Sequence, residues 1–204
     1  MRRYDEVMFT DAVKTLQEAD GSADMYARSY GARTHALTAD EVAFVTSRTS
    51  FYMATVSETG WPYIQHRGGP AGFLKVLDDH TLGFADYRGN RQHISEGNLA
   101  GDNRVSLFLM DYPRKARMKL QGRATVQAAA EASELAEQLT AEGQGRVERV
   151  VTIALEAFDW NCPQFITPRF DASEIAQLVG PEMDKQAARI AELEAELAAL
   201  KGQG

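Results

Sequence analysis

Between Ser50 and Phe158, runs rich in β-branched and aromatic residues follow one another, separated mainly by turns too short for a helical crossover. SFYMATVS (50–57) and WPYIQHR (61–67) flank the turn Glu58-Thr59-Gly60 and read as a hairpin. FLKVL (73–77) and TLGFAD (81–86) flank Asp78-Asp79-His80 as a second strand–turn–strand. RVSLFLMD (104–111), ARMKLQGRATVQ (116–127) and VERVVTIALEAF (147–158) complete the set. Gly122, inside the 116–127 run, predicts a bulge or sharp bend. About six strands with so few long connections exclude a repeating βαβ design. They predict a mainly β (α+β) chain: an antiparallel barrel or strongly curved sheet with peripheral helices.

The helices fall around this block. Phe9, Val13 and Leu16 predict a helix over 5–19, and the small, polar stretch 20–37 reads as a linker. Thr38-Ala39-Asp40-Glu41 is a capping box that opens a helix running to about Arg48, with Val42, Phe44 and Val45 as candidate core. Short helices are expected over 91–100 and 129–139. At the C-terminus Met183, Ile190 and Leu197 lie seven apart, as do Leu193 and Leu200, which fits a and d positions of a heptad. That amphipathic helix either stabilises a dimer or packs on its own domain. The expected division is 1–37 (N-terminal helix and linker), 38–170 (the β domain) and 171–204 (helical tail).

Composition narrows the function. A net charge of −7 offers nucleic acid no attractive field, and none is expected as a partner. Cys162 is the only cysteine, which excludes an internal disulfide and a thiolate zinc site. Nothing beside it in sequence supplies the cationic neighbour that a reactive thiolate needs. His35, His66, His80 and His93 have no metal-ligand spacing, so no metal is expected. GxSxG, Walker A, HExxH and EF-hand patterns are all absent. The first residues lack the apolar centre of a signal peptide, and no apolar run has the length of a membrane span. The expectation is a cytoplasmic protein with no membrane partner.

Three stretches can carry chemistry. In GWPYIQHRGGPAGF (60–73) a strand ends in His66, Arg67, Gly68 and Gly69. Bare backbone there admits a flat ring, with Gln65 and His66 on its edge; equally, Gly68-Gly69-Pro70 is a plain turn. In Asp86-Tyr87-Arg88-Gly89-Asn90-Arg91-Gln92 two arginines flank a glycine ahead of an expected helix. Backbone N–H groups, the helix dipole and guanidinium forks together suit a phosphate, so Arg67, Arg88 and Arg91 can share one. The alternative is a surface loop whose arginines pair with Asp86 or Glu96. In Phe158-Asp159-Trp160-Asn161-Cys162-Pro163-Gln164 a strand gives way to a loop whose tryptophan is a core, interface or ligand-capping ring.

The ordered set FYMATVSETGWPYIQHRGG, TLGFADYRGNRQHISEGNLAGDNRVSLFLMD and MKLQGRATV resembles the pyridoxamine 5'-phosphate oxidase-like flavoproteins over roughly 44–160. The resemblance implies a split antiparallel β-barrel that forms a homodimer, with FMN in clefts at the dimer interface. It implies that Gln65, His66, Arg67, Gly68 and Gly69 run along the flavin ring. Asp86, Arg88, Asn90, Arg91, Gln92 and Asn98 would serve the ring edge and the ribityl phosphate, with Arg67 and Arg91 as the leading phosphate ligands. Trp160 and Gln164 would reach the flavin from the partner subunit. The implied activity is an FMN-dependent oxidoreductase passing electrons between NAD(P)H or a small reduced substrate and an acceptor. His66 and Tyr87 are the acid–base candidates, and no catalytic residue is assigned. The alternative is a non-catalytic flavin, deazaflavin or haem binder, with His66 or His93 as axial ligand. The true oxidases hold pyridoxine phosphate with an Arg-containing C-terminal segment. Here DWNCPQFITPRF and a helical tail stand in its place, so pyridoxamine phosphate is not the expected substrate.

Overall fold

Seven strands form in the computed structural model, which describes residues 1–31 and 36–202. They are β1 (Ser50–Val56), β2 (Pro62–Gly68), β3 (Lys75–Asp78), β4 (Thr81–Tyr87), β5 (Arg104–Asp111), β6 (Ala116–Ala128) and β7 (Val147–Trp160). They coincide with the seven β-rich runs of the sequence. All pair antiparallel in one sheet, ordered β2-β1-β5-β6-β7-β4-β3. Strict alternation sends Phe51 and Met53 of β1, Leu107 and Leu109 of β5, and Met118 and Leu120 of β6 to the same buried face.

The sheet curls until its ends meet. Phe51 of β1 makes an edge-to-face contact with Phe84 of β4 at 5.5 Å, although β5, β6 and β7 lie between those strands in the hydrogen-bonded order. The closure uses side chains and leaves β2 and β3 as open edges, so this is a split barrel. Gly122 lies where the β6–β7 register shifts, and a Cβ there would sit 2.7 Å from the Ala154 carbonyl oxygen. Only a glycine lets β6 bend so close to β7.

The N-terminal segment differs from expectation. The helix predicted over 5–19 is two, α1 (Tyr4–Met8) and α2 (Asp11–Asp20). Phe9 ends the first, and Thr10 caps the second by accepting the Val13 N–H. Part of the predicted linker is a helix, α3 (Ala23–Gly31). Tyr26 and Tyr30, one turn apart, pack their rings on Phe9 at 5.6 and 5.4 Å. Aromatic burial thus overrides the small and polar residues around them. His35 lies outside the described residues.

α4 (Ala39–Thr46) starts at the Thr38–Glu41 capping box and stops short of Arg48. That arginine instead hydrogen-bonds the Phe44 and Met110 carbonyl oxygens at 3.2 and 3.0 Å and pairs with buried Asp111 at 2.7 Å. The short helices α5 (Ile94–Gly101) and α6 (Ser133–Leu139) start later than predicted.

The chain divides into two compact units, Met1–Asp111 with Ala116–Gln164, and Tyr112–Lys115 with Phe165–Gly204. The second carries α7 (Ala172–Lys201), opened by a capping box in which Asp171 accepts the Glu174 N–H at 2.8 Å. No residue of α7 is buried. Among the described residues no helix is long and apolar enough to cross a membrane.

Candidate functional site

Where the split barrel's ends meet, β2, β4, β7 and the loop before α5 enclose a cleft of about 280 Å³. The pleat of β2 decides what it contributes: Tyr63, Gln65 and Arg67 face inward and line the cleft, and Ile64, His66 and Gly68 face out. β4 ends in Asp86 and Tyr87, which β7 meets with Glu148 and Arg149. Gly89, Asn90, Arg91, Gln92 and His93 close the mouth.

An ion network ties these walls together. Asp86 takes Arg67 Nη1 on one carboxylate oxygen at 2.5 Å and Arg149 Nη2 on the other at 2.9 Å. Arg149 also reaches Glu96 at 3.4 Å, and His93 Nδ1 lies 2.7 Å from the same carboxylate. Burial works against the Arg149 charge, but the hydrogen bond and field of Asp86, with Glu96 and Glu148 behind it, hold its pKa above the ordinary value. Arg149 is a fixed cation. Arg88 and Arg91 are held loosely, at 4.0 and 3.9 Å from one oxygen of Glu148.

Arg67 is the unusual member. Its guanidinium lies 5.5 Å over the Phe84 ring, and its buried Nε has no hydrogen-bond partner. Leaving a buried donor unmatched costs about 1–3 kcal/mol, and more where the group is charged. The loop is also constrained: Arg91 and His93 hold φ of 61° and 54°, and Asn90 Oδ1 accepts the Gln92 N–H at 3.2 Å. Left-handed backbone in bulky residues costs about 1–2 kcal/mol each. The helix expected from 91 begins at Ile94, so Arg91 and Gln92 belong to this loop.

Six of the residues that the resemblance assigns to the flavin are therefore brought to one cleft: Gln65, Arg67, Asp86, Asn90, Arg91 and Gln92; Tyr87, an acid–base candidate, and His93, an axial-ligand candidate, line it too. Arg88 stands at its edge through Glu148. The others are placed elsewhere. His66 faces outward and packs edge-on against Tyr52 at 5.6 Å, so it and Gln65 do not meet one ring edge. Gly68 faces outward too, and a Cβ on Gly69 would lie 2.7 Å from Phe73. The bareness of Gly69 makes room for a core ring. Asn98 is buried and donates to Thr55 Oγ1 at 2.9 Å, docking α5 on β1. Trp160 is the last residue of β7 rather than part of a loop; its indole donates to Glu41 at 2.8 Å and its ring meets Phe44 at 4.6 Å. Gln164 is exposed, with its N–H on Cys162 Sγ at 3.4 Å. The Tyr87 hydroxyl is engaged by the Ala141 backbone, accepting its N–H at 2.7 Å.

Sequence reasoning missed Tyr63, Glu148 and Arg149. Arg149 becomes visible only once the register pairs it with Asp86 across β4 and β7. Among the described residues the one group spaced for a metal is Asp78, Asp79 and His80, exposed on the β3–β4 turn. There the imidazole already pairs with Asp79 at 2.5 Å.

A family model described as pyridoxamine 5'-phosphate oxidase matches residues 37–158. No curated protein matches the chain. Among solved structures, HupZ of Group A Streptococcus is similar, with a TM-score of 0.50 and 19% identity over 66% of this chain and all (100%) of that one. A histidine-to-alanine variant of the same streptococcal protein gives 0.50 and 20% over 61% and 98%. A Clostridium acetobutylicum protein related to general stress protein 26, of the pyridoxinephosphate oxidase family, gives 0.45 and 15% over 60% and 85%. The family match spans β1 to β7 and the loop that closes the cleft, and the chain belongs to the pyridoxamine 5'-phosphate oxidase family.

Proposed function

We propose that the cleft holds the phosphate end of FMN and that the protein is an FMN-dependent oxidoreductase. The observation that carries this reading is the state of the arginines. Arg67 lines the cleft with its side chain still partly exposed, and Arg88 and Arg91 share one distant carboxylate. A phosphate dianion satisfies all three with charge-assisted hydrogen bonds. Asn90 and Gln92 supply neutral donors beside them.

The cleft, at about 280 Å³, falls just below the range for whole-ligand pockets, about 300–1,000 Å³. It suits the phosphate and ribityl chain, with the ring extending against a second copy of the chain. Exposed Tyr52, Ile64 and Trp61 on the outward side of the β1–β2 hairpin support a homodimer. A bound flavin supplies the redox chemistry, accepting a hydride from NAD(P)H or a small reduced substrate and passing electrons to an acceptor. The chain's own residues bind and orient: Arg67 and Arg91 the phosphate, Gln65 and Tyr63 the wall beside it.

A second reading has one observation behind it. The two acid–base candidates are unavailable to the cleft, since His66 faces out and the Tyr87 hydroxyl is occupied. This favours a flavin or deazaflavin carrier without turnover.

Quenching of flavin fluorescence tests the phosphate assignment. FMN is expected to bind at least about tenfold tighter than riboflavin, a difference of about 1.4 kcal/mol. Equal affinities would remove the arginines from the site.

A further inference from the structure

We infer that residues 182–201 of α7 form a parallel, in-register two-stranded coiled coil with the same segment of a second copy. The helix is the longest element of the chain, yet Met183, Ile190, Leu193, Leu197 and Leu200 are all exposed, at 46–69%. These five side chains define a heptad register. Met183, Ile190 and Leu197 take a, and Leu193 and Leu200 take d, with Gln186 as the one polar d residue. The repeat of seven keeps the stripe on one side along about 30 Å of helix, at 1.5 Å per residue. Pro181 sets its beginning, because it removes a helical N–H donor.

The flanking charges choose the occupant. Positions g are Glu182, Arg189 and Glu196, and positions e are Ala187, Glu194 and Lys201. In a parallel dimer each g residue faces the e residue five positions on in the other helix. Arg189 then meets Glu194, and Glu196 meets Lys201, each pair occurring twice by symmetry. An antiparallel pairing brings g against g, opposing Arg189 to itself and Glu182 to Glu196. The sequence is self-complementary in one orientation only. Ile190 at a with Leu193 at d further favours two strands.

The seam is short, and isolated helices of this length are marginal. Pairing therefore depends on a high local concentration of the two tails, which a dimer of the barrel units would supply. The inference does not rest on the flavin reading.

Site-directed cross-linking of the full chain tests it, in a Cys162→Ser background that removes the exposed native thiol. Leu193→Cys is expected to form a disulfide dimer under mild oxidation, while Ala195→Cys, at outward position f, stays reduced. Cross-linking of Leu193→Cys to Ile190→Cys in a mixture, but not to itself, would mean antiparallel helices and overturn the inference. Equal cross-linking at 193 and 195 would mean an unpaired tail and overturn it as well. Charge reversal adds a second readout, the rate of the Leu193→Cys cross-link. Arg189→Glu and Glu194→Arg are each expected to slow it, and a mixture of the two variants, after subunit exchange, to restore it. No effect of either variant would remove the g–e pairing.

Discussion

Arg67 of β2 and Asp86 of β4 sit 2.5 Å apart, although β1, β5, β6 and β7 separate their strands in the sheet. This ion pair fastens the two ends of the barrel at the rim of the cleft. Asp86 also holds Arg149, so its loss leaves two largely shielded guanidinium groups without their carboxylate. Asp86→Asn is expected to lower stability by about 2 kcal/mol, the scale of a hydrogen bond to a charged group. Urea unfolding measures it, and an unchanged midpoint would show that the ends hold without this pair.

Glu148 competes with any anion for Arg88 and Arg91. Glu148→Gln is therefore expected to tighten FMN binding, and Arg91→Ala to weaken it by about 1.5–3 kcal/mol, the range for a charge-assisted contact. Titration of the two variants side by side checks the pair. Opposite shifts support a phosphate at the loop; no shift in either puts the anion elsewhere.

Asn98 separates a structural role from a ligand role. Its amide is buried against Thr55, away from the cleft. Asn98→Ala is expected to cost about 1–3 kcal/mol in stability, because the Thr55 hydroxyl loses its partner. FMN affinity, measured where the variant is folded, should not move. A large loss of affinity with stability intact would return Asn98 to the ligand set.

Glu41 gives a pH dependence with a definite sign. Burial pushes its carboxyl up, but hydrogen bonds from Thr38 and from the Trp160 indole outweigh this, and its pKa falls below the ordinary 4.5. A carboxyl with a lowered folded value stabilises fully above its unfolded value. That contribution is lost as pH falls through the folded value. Stability should hold above about pH 4.5 and decline below it, and Glu41→Gln should flatten this part of the profile. Trp61→Phe leaves Trp160 as the only tryptophan, so its emission reports the step directly.

The strands are legible in the sequence because a two-residue alternation survives in β1, β2 and β5, while β4 reads as a short apolar run buried on both faces. The N-terminal helices are less so, because Tyr26 and Tyr30 draw Phe9 into an aromatic cluster that local propensity does not encode. The cleft divides the same way. Asp86, Asn90, Arg91 and Gln92 are close in sequence and stand out together, while Arg149 enters only through strand register. Gly69 shows how a residue type can be noticed for the wrong neighbour. The sequence suggests a ligand ring over it, and the fold puts Phe73 there. Trp160 reads as a loop residue because the strand's apolar run gives way to polar Asp159, which β7 carries in its pleat opposite Lys119.

The most direct test of the central claim is the visible spectrum of the purified full-length protein. The protein is saturated with FMN and freed of excess, and the ligand is then released by denaturation and quantified. A retained flavin near one per chain is the predicted result. A protein that emerges colourless, with its fold intact, would contradict the cofactor assignment and leave Arg67 and Arg91 as a surface ion network.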